Sequence, residues 1–168
     1  MSDGADGDLL NVEQAVRART QGLDLDHRAM AVLSNIFRVS TAIRRHMEST
    51  VLAPDGLSWT AFVTLWCLWI SGEMESRELA AAVGISKPTS TGVVTTLERR
   101  GLVRRSKGGG DGRMVRVALT TEGTRLIELL FPRFNAEESA VASALDPARQ
   151  DQVAACLRTL LRGLEGRR

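Results

Sequence analysis

The sequence predicts a mainly α-helical chain with one small β-hairpin, and three observations support this fold class. Apolar residues recur at intervals of three and four over most of the 168 residues, as they do along one face of a helix. Residues 102–107 and 113–119 instead have strand character, and they flank the glycine-rich run 108–112. Serine, threonine, aspartate and glycine stand at the expected ends of the helical runs.

The amino-terminal quarter of the chain divides into two segments. Residues 1–25 are acidic and their apolar residues show only weak helical spacing, so we expect a flexible tail there. From Asp26 the apolar spacing becomes regular, and it predicts one long helix to about Val51 within the segment 26–56.

The next predicted helix begins after its cap, Ser58, runs to Ser71 and is ended by Gly72. It is apolar on two sides. One stripe contains Phe62, Leu65, Leu68 and Trp69, and the second contains Trp59, Val63, Trp66 and Ile70. A helix with two apolar faces is normally buried between two layers, so we expect the second stripe to be covered by more than the local core.

Two short helices follow, separated by a glycine turn. The first covers residues 75–83, Gly84 makes the turn, and Ser86 caps a second helix that runs to Arg100. Their apolar spacing is that of a helix-turn-helix. The second helix begins with small, polar and cationic residues and has free backbone N–H groups, so it can meet a phosphate or a base edge.

The charge of the chain is concentrated in the same region. Residues 87–116 contain eight lysines and arginines against two acidic residues, a net charge of +6 in a chain whose total is +2. Taken alone, such a run is most often a solvated face. Joined to the helix-turn-helix and to the hairpin after it, the basic segment predicts a winged helix-turn-helix that presents one edge to a polyanion.

Two long helices complete the prediction for residues 121–168. Thr120 or Thr121 caps the first, which contains Pro132, and Asp146 with Pro147 opens the last. The last helix has an apolar face made by Val153, Leu157, Leu160, Leu161 and Leu164. A second apolar stripe, near the other end of the chain, contains Leu33, Ile36, Ile43 and Met47. The two stripes together expose more apolar surface than the helix-turn-helix and its hairpin, here called the reading head, can cover, so we expect a homodimer.

Other classes of protein are disfavoured. The chain has two histidines, its two cysteines lie 89 positions apart, and its glycine run lacks the Gly-Lys-Ser/Thr ending of a phosphate loop, so we expect no enzyme, metal or cofactor. The acidic start lacks a signal-peptide pattern, and the longest apolar stretch is about half of a membrane span. We therefore expect a cytoplasmic protein that does not bind membranes.

From about Asp26 to Leu164 the chain resembles the multiple antibiotic resistance regulator (MarR) family of bacterial transcription factors. The resemblance is carried by the runs LSWTAFVTLWCL, RELAAAVGISKPTSTGVVTTLERRGLVRR and DGRMVRVALTTEG, most specifically by LERRGLV, by the D-x-R of residues 111–113 and by LTTEG. It implies a homodimeric transcriptional repressor that binds double-stranded DNA. Its first and last helices would form a dimerisation lobe, and residues 57–120 would be the DNA-binding domain. A pseudo-palindromic operator and release by a small aromatic or lipophilic effector are also implied.

The resemblance assigns roles to residues that match the family's motifs. Arg113 would enter the minor groove and Asp111 would orient the wing. The residues expected in or near the major groove are Ser86, Lys87, Pro88, Thr89, Thr91, Gly92 and Thr95, and Arg116 completes the predicted DNA-contacting set. Gly92 and Thr96 stand where the family often has arginine or another long polar residue, and Ser90 stands where an apolar residue is common. Specificity is therefore expected to depend on Lys87, the threonines and groove shape.

Three alternatives remain open at the level of sequence. Weak base readout would make the chain a low-specificity architectural DNA-binding protein. The stripe of Trp59, Val63, Trp66 and Ile70 is either interface packing or the effector pocket that the resemblance implies. Cys67 is either an oxidant-sensing thiol or a buried, inert one, and Cys156 is expected to pack within the last helix.

Overall fold

The computed structural model describes residues 3–107 and 114–167, which are mostly helical with one small antiparallel sheet. Its backbone contacts divide the chain into two compact units, Met1–His46 and Met47–Arg168. The predicted fold class, mainly α with a β-hairpin wing, is confirmed.

The first unit contains helix α1, Asp3–Arg19, and most of helix α2, His27–Met47. The Asp26 carboxylate caps α2 by accepting from the backbone N–H groups of Arg28 and Ala29, each at 3.0 Å. Helix α1 lies in the segment for which the sequence predicts a flexible tail. Glu13 of α1 meets α2 through the 2.9 Å hydrogen bond from Asn35 Nδ2 to Glu13 Oε1, a polar contact that leaves no periodic apolar signal in the sequence.

The second unit begins with a π-helical turn, Glu48–Leu52, and a 3₁₀ turn, Ala53–Asp55. The elements that follow are helix α3, Trp59–Ser71; strand β1, Met74–Glu75; helices α4, Ser76–Val83, and α5, Lys87–Arg99; strands β2, Val103–Lys107, and β3, Val115–Leu119; and helices α6, Thr121–Ala142, and α7, Pro147–Glu165. The predicted caps Ser58, Ser86, Thr120 and Asp146 are confirmed, since each side chain accepts from a backbone N–H three residues ahead.

The three strands lie in the order β1-β3-β2, and both pairs are antiparallel. Val117 in the central strand pairs with Met74 on one side and with Arg105 on the other. The sequence predicts β2 and β3 but places Glu75 in a helix. Strand β1 has only two residues, too few for a periodic pattern, and its pairing with β3 comes from residues more than 40 positions away.

The core of the second unit lies between α3, the helix-turn-helix and α6. Phe62, Leu65 and Leu68 are buried along the first stripe of α3, as predicted. Phe62 stacks on Phe134 of α6 with ring centroids 4.2 Å apart. Met47, expected on the dimer stripe, is instead fully buried in the core.

Helix α7 buries none of its residues in the single chain. Leu157, Leu160, Leu161 and Leu164 are all exposed on it. Cys156 is exposed as well, so the expectation that it packs within the last helix is wrong for the isolated chain, because nothing covers this helix there.

In the described parts of the chain, no single helix has the length and apolarity to cross a membrane, although residues 27–55 and 59–71 reach the required length and composition as a bent pair.

Candidate nucleic-acid interface

The helix-turn-helix is formed by α4, a left-handed glycine and α5. Gly84 adopts φ 74°, a conformation that favours glycine, and the N–H of Ile85 bonds to the carbonyl of Ala80 at 3.0 Å. Leu79 of α4 and Leu97 of α5 are buried against the core. The turn therefore fixes α5 with one face inward and the other outward.

The outward face of α5 is the one that the sequence predicts to meet DNA. Ser86 Oγ accepts from the N–H of Thr89 and lies 2.7 Å from its hydroxyl, which fixes the first turn. Ser90, in contrast, is buried. The residues of α5 and its cap that the sequence predicts to contact DNA are all exposed: Ser86, Lys87, Pro88, Thr89, Thr91, Gly92 and Thr95.

The threonine hydroxyls on this face donate to their own helix. Thr91 Oγ1 donates to the carbonyl of Lys87 at 3.0 Å, and Thr95 Oγ1 donates to the carbonyl of Thr91 at 2.8 Å. A hydroxyl that has given its proton to the backbone can act toward a ligand only as an acceptor. These side chains therefore offer an acceptor oxygen and a methyl group, which suit the amino groups of adenine or cytosine and the methyl of thymine.

Arg105 of β2 connects the wing to α5. Its Nη2 donates to the Thr95 hydroxyl at 2.6 Å and to the Thr91 carbonyl at 3.3 Å. Glu98 holds the same residue from the next turn, because its Oε1 accepts from the Arg105 backbone N–H at 3.2 Å and its Oε2 lies 3.6 Å from Arg105 Nε. In the sequence, Arg105 is recognisable only as one of the charges of the basic segment. Its contacts make it a positioning residue between wing and helix.

Arg100, at the end of α5, is engaged in a similar way. Its guanidinium donates to the carbonyls of Asp55 and Gly56, each at 2.8 Å. Arg133 of α6 donates to the Asp55 carboxylate at 3.0 Å from the other side. The turn before α3 is thus tied to both α5 and α6, a link that sequence reasoning missed.

The wing carries part of the predicted set. Arg116 on β3 is exposed and pairs with Glu73, Nη1 to Oε1, at 3.3 Å. The other Glu73 oxygen lies 3.8 Å from Arg104 of β2. Arg116 is therefore placed on the wing surface with a carboxylate partner that the sequence did not indicate. Asp111 and Arg113 lie outside the described residues.

Helix α5 is bordered by two hollows. One, of about 210 Å³, lies toward the wing and is lined by Lys87, Thr91, Val94, Arg105 and Val115 together with Glu75, Ser76, Arg77 and Ser90. The other, of about 480 Å³, lies toward α3 and is lined by Gly56, Ser58, Ala61, Thr89, Gly92, Val93, Thr96, Leu97 and Arg100. The outward face of α5 is a ridge between them, a shape that can enter a groove.

The second stripe of α3 divides in the structure. Trp59 and Val63 are half-buried, and Trp59 lies 6.0 Å from the Phe134 ring. Trp66 and Ile70 are exposed, with 38% and 62% of their surface accessible. The predicted effector residues therefore include two apolar side chains that the single chain leaves uncovered.

Cys67, between these stripes, is buried, and burial raises the pKa of its thiol.

A helix-turn-helix followed by a two-stranded wing, with an exposed polar ridge on the second helix, defines a winged-helix protein of the DNA-binding class. Residues 57–115 match the model of the MarR family. An HTH-type transcriptional regulator of Bacillus subtilis, YwaE, is 35% identical over 134 residues, which are 80% of this chain and 78% of that one. The chain belongs to the MarR family of transcriptional regulators.

Two solved structures show the same fold. The MepR–DNA complex of Staphylococcus aureus has a TM-score of 0.69 and 26% identity over 79% of this chain and 97% of that one. BpsR of Bordetella bronchiseptica, whose DNA binding is regulated by 6-hydroxynicotinic acid, has a TM-score of 0.69 and 25% identity over 76% of this chain and 97% of that one.

Proposed function

We propose that this chain is a homodimeric repressor that binds a pseudo-palindromic operator and is released from it by a small aromatic or lipophilic effector. The observation that carries the proposal is the ridge of α5, exposed between two hollows and tied by Arg105 to a basic wing. The ridge would enter the major groove while the wing follows the adjacent minor groove.

Exposed apolar helix faces support the dimer. Helix α7 leaves its leucines uncovered, and Leu33 and Phe37 of α2 are also exposed, with 49% and 70% of their surface accessible. Faces of this kind mark an interface. In a two-fold dimer, the exposed face of α7 would pack against α7 or α2 of the partner, and that of α2 would do the same. Two reading heads would then contact two half-sites.

The uncovered part of the α3 stripe supports the effector. Trp66 and Ile70 offer an aromatic and an aliphatic wall, which suits a small apolar ring. The DNA binding of BpsR, a structural neighbour, is regulated by a small aromatic acid, 6-hydroxynicotinic acid. A ligand at this stripe would release DNA only if it bound more tightly to a form of the dimer in which the distance between the two reading heads does not match the distance between the operator half-sites.

The DNA part of the proposal is tested by competition. Genomic fragments that the protein retains would be footprinted, and the protected site would then be challenged with unrelated DNA. We expect a preference of at least ~10³-fold for the operator. Equal competition by unrelated DNA would instead support the low-specificity architectural alternative, which is favoured by the absence of a long polar side chain at Gly92 and Thr96.

The effector part is tested by fluorescence and operator release with 6-hydroxynicotinic acid and related aromatic acids. A ligand that releases DNA should quench tryptophan emission, and Trp66→Ala should weaken both effects. Trp69→Phe is the matched control, because Trp69 lies on the first stripe, 5.4 Å from Phe131. Release that is equally strong from Trp66→Ala and Trp59→Ala would place the effector site elsewhere.

A further inference from the structure

The middle of the outward face of α5 is poor in hydrogen-bond donors. Between Lys87 and Arg99 the helix contains no lysine, arginine, histidine, asparagine or glutamine. Pro88 has no backbone N–H, and Gly92, about one turn further on, has no side chain; both are exposed. Guanine offers two acceptors to the major groove and is read by side chains that donate to them. The middle of α5 is therefore unsuited to reading guanine.

Two exposed threonines next to Gly92 have hydroxyl groups that are engaged on both sides. Thr95 Oγ1 donates to the carbonyl four residues back at 2.8 Å and accepts from Arg105 Nη2 at 2.6 Å. Thr96 Oγ1 donates to the carbonyl of Gly92 at 3.1 Å and accepts from Arg99 Nη2 at 3.3 Å. In both residues, the proton and one lone pair of the hydroxyl are already used within the protein.

The methyl groups are what these threonines have left to present. Thr91 has the same arrangement, since its hydroxyl also turns back along the helix to a carbonyl, at 3.0 Å. Gly92 precedes Thr95 and Thr96 by three and four positions, so the three residues share one face of α5. A Cβ atom added at Gly92 would meet nothing within 4 Å, which leaves open space beside the methyl groups. This space suits a small apolar group that approaches the backbone closely.

We propose that α5 reads thymine through its C5 methyl group, and that Thr91, Thr95 and Thr96 make the contact with their own methyl groups around Gly92. Thymine is the one standard DNA base with a methyl group in the major groove, and threonine methyls are suited to contact it there. The inference rests on the proposed function, because it requires α5 to lie in the major groove of an operator. It adds the chemical feature that each half-site must offer, and it assigns Thr96 to the set that determines specificity.

Replacing thymine by uracil tests the inference, since uracil pairs with adenine in the same way and lacks only the methyl group. The footprinted operator would be synthesised with deoxyuridine in place of each thymine of both half-sites, and binding would be measured by fluorescence anisotropy. Each contacted methyl should contribute about three- to four-fold in affinity. With two half-sites, the uracil operator should bind at least about ten-fold more weakly than the thymine operator. Equal affinities would overturn the proposal.

A triple serine variant identifies the groups on the protein side. Thr91→Ser combined with Thr95→Ser and Thr96→Ser removes three methyl groups and keeps three hydroxyls. Serine is about as good a helix former as threonine, so the melting temperature should stay close to that of the unchanged protein. The variant should bind the thymine operator at least about ten-fold more weakly, and it should bind the two operators within about two-fold of each other. A variant that still prefers thymine by ten-fold would overturn the proposal.

Thr159→Ser is the matched control, because Thr159 has the same local arrangement on α7. Its hydroxyl donates to the carbonyl of Ala155 at 3.0 Å and accepts from Arg162 Nη2 at 3.3 Å. Thr159→Ser should keep the full preference for thymine, and loss of that preference would contradict a role specific to α5.

Competition with unrelated DNA separates this inference from the proposed function. A protein that prefers its operator to unrelated DNA but does not distinguish thymine from uracil would overturn the methyl readout alone. A protein without any operator preference would overturn the proposed function, and the methyl readout with it.

Discussion

The guanidinium of Arg105, on the first strand of the wing, lies 2.6 Å from the hydroxyl of Thr95, on the outward face of α5. Because Glu98 holds the same arginine through both its backbone and its side chain, the wing and the recognition helix form one unit at this point. Thr95 is consequently both a donor to its own helix and an acceptor from the wing.

This relationship predicts coupling between two residues in operator binding. Arg105→Ala and Thr95→Val should each weaken operator binding. The double variant should lose less binding free energy than the sum of the two single losses, with a coupling energy of about 0.5–3 kcal/mol. The control is Arg104→Ala, which removes the same charge from the same strand but not a contact with α5. Losses that add within ~0.5 kcal/mol would show that Arg105 acts only as a charge.

A second prediction concerns Arg113, which the family resemblance places in the minor groove. Arg113→Ala should weaken operator binding by about 1–3 kcal/mol and reduce the salt dependence of binding, without unfolding the protein. Arg149→Ala is a suitable control, since it removes an exposed arginine from α7, where Arg149 pairs with Asp146 at 3.4 Å. Unchanged affinity and salt dependence in Arg113→Ala would remove the wing tip from the mechanism.

The glycine in the LTTEG run gives a prediction about stability. A Cβ atom added at Gly123 would overlap the carbonyl oxygen of Leu102, a backbone atom that cannot move aside, whereas one added at Gly92 would meet nothing within 4 Å. Gly123→Ala should therefore lower the free energy of unfolding by about 1–3 kcal/mol. Gly92→Ala should raise it by about 0.5–1 kcal/mol, because alanine is the better helix former.

Urea unfolding of both variants checks this pair. Equal stabilities would mean that α6 does not start as close to Leu102 as the structure places it.

Features that depend on neighbouring residues could be predicted from the sequence. The caps at Ser58, Ser86, Thr120 and Asp146 are local, since each acts on the next turn of its own helix. The winged helix-turn-helix follows from those ends, the apolar spacing and the basic hairpin.

The contacts that organise the interface could not be predicted in this way. Arg100 bonds to the carbonyls of Asp55 and Gly56, 45 and 44 residues away, and Glu73 meets Arg116 across 43 residues. Exposed charged side chains leave no periodic signal, because their partners are set by the fold rather than by spacing. Burial of Met47 and exposure of Cys156 likewise depend on which elements meet them.

The two cysteines should differ in reactivity. The thiolate is the reactive form, and burial raises the pKa of Cys67, so at neutral pH it holds less thiolate than an ordinary thiol and its reactivity should rise only at more alkaline pH. With 5,5′-dithiobis(2-nitrobenzoic acid), a protein made monomeric by Leu161→Asp should release one fast equivalent, from Cys156, which is exposed in the single chain, and a second after unfolding.

Cys156→Ser provides the control for that assignment. It should be unreactive when native and release one equivalent when unfolded. Rapid reaction of native Cys156→Ser at neutral pH, with loss of operator binding, would support the redox-sensing alternative for Cys67.

The last prediction concerns the leucine face of α7. Leu161 is 60% exposed in the single chain, so an aspartate there removes little from the core of one protomer but places a charge in the proposed dimer interface. Leu161→Asp should therefore sediment as a folded monomer at micromolar concentration, while the conservative Leu161→Met stays dimeric.

Because a monomer engages one half-site and loses the effective concentration that joins the two heads, its operator affinity should fall by about 10²-fold or more. On an isolated half-site, in contrast, only one head can bind, so the monomer and the dimer should have about equal affinity. A Leu161→Asp protein that remains dimeric, or a monomer that binds the full operator with unchanged affinity, would mean that α7 does not hold the two heads one duplex turn apart.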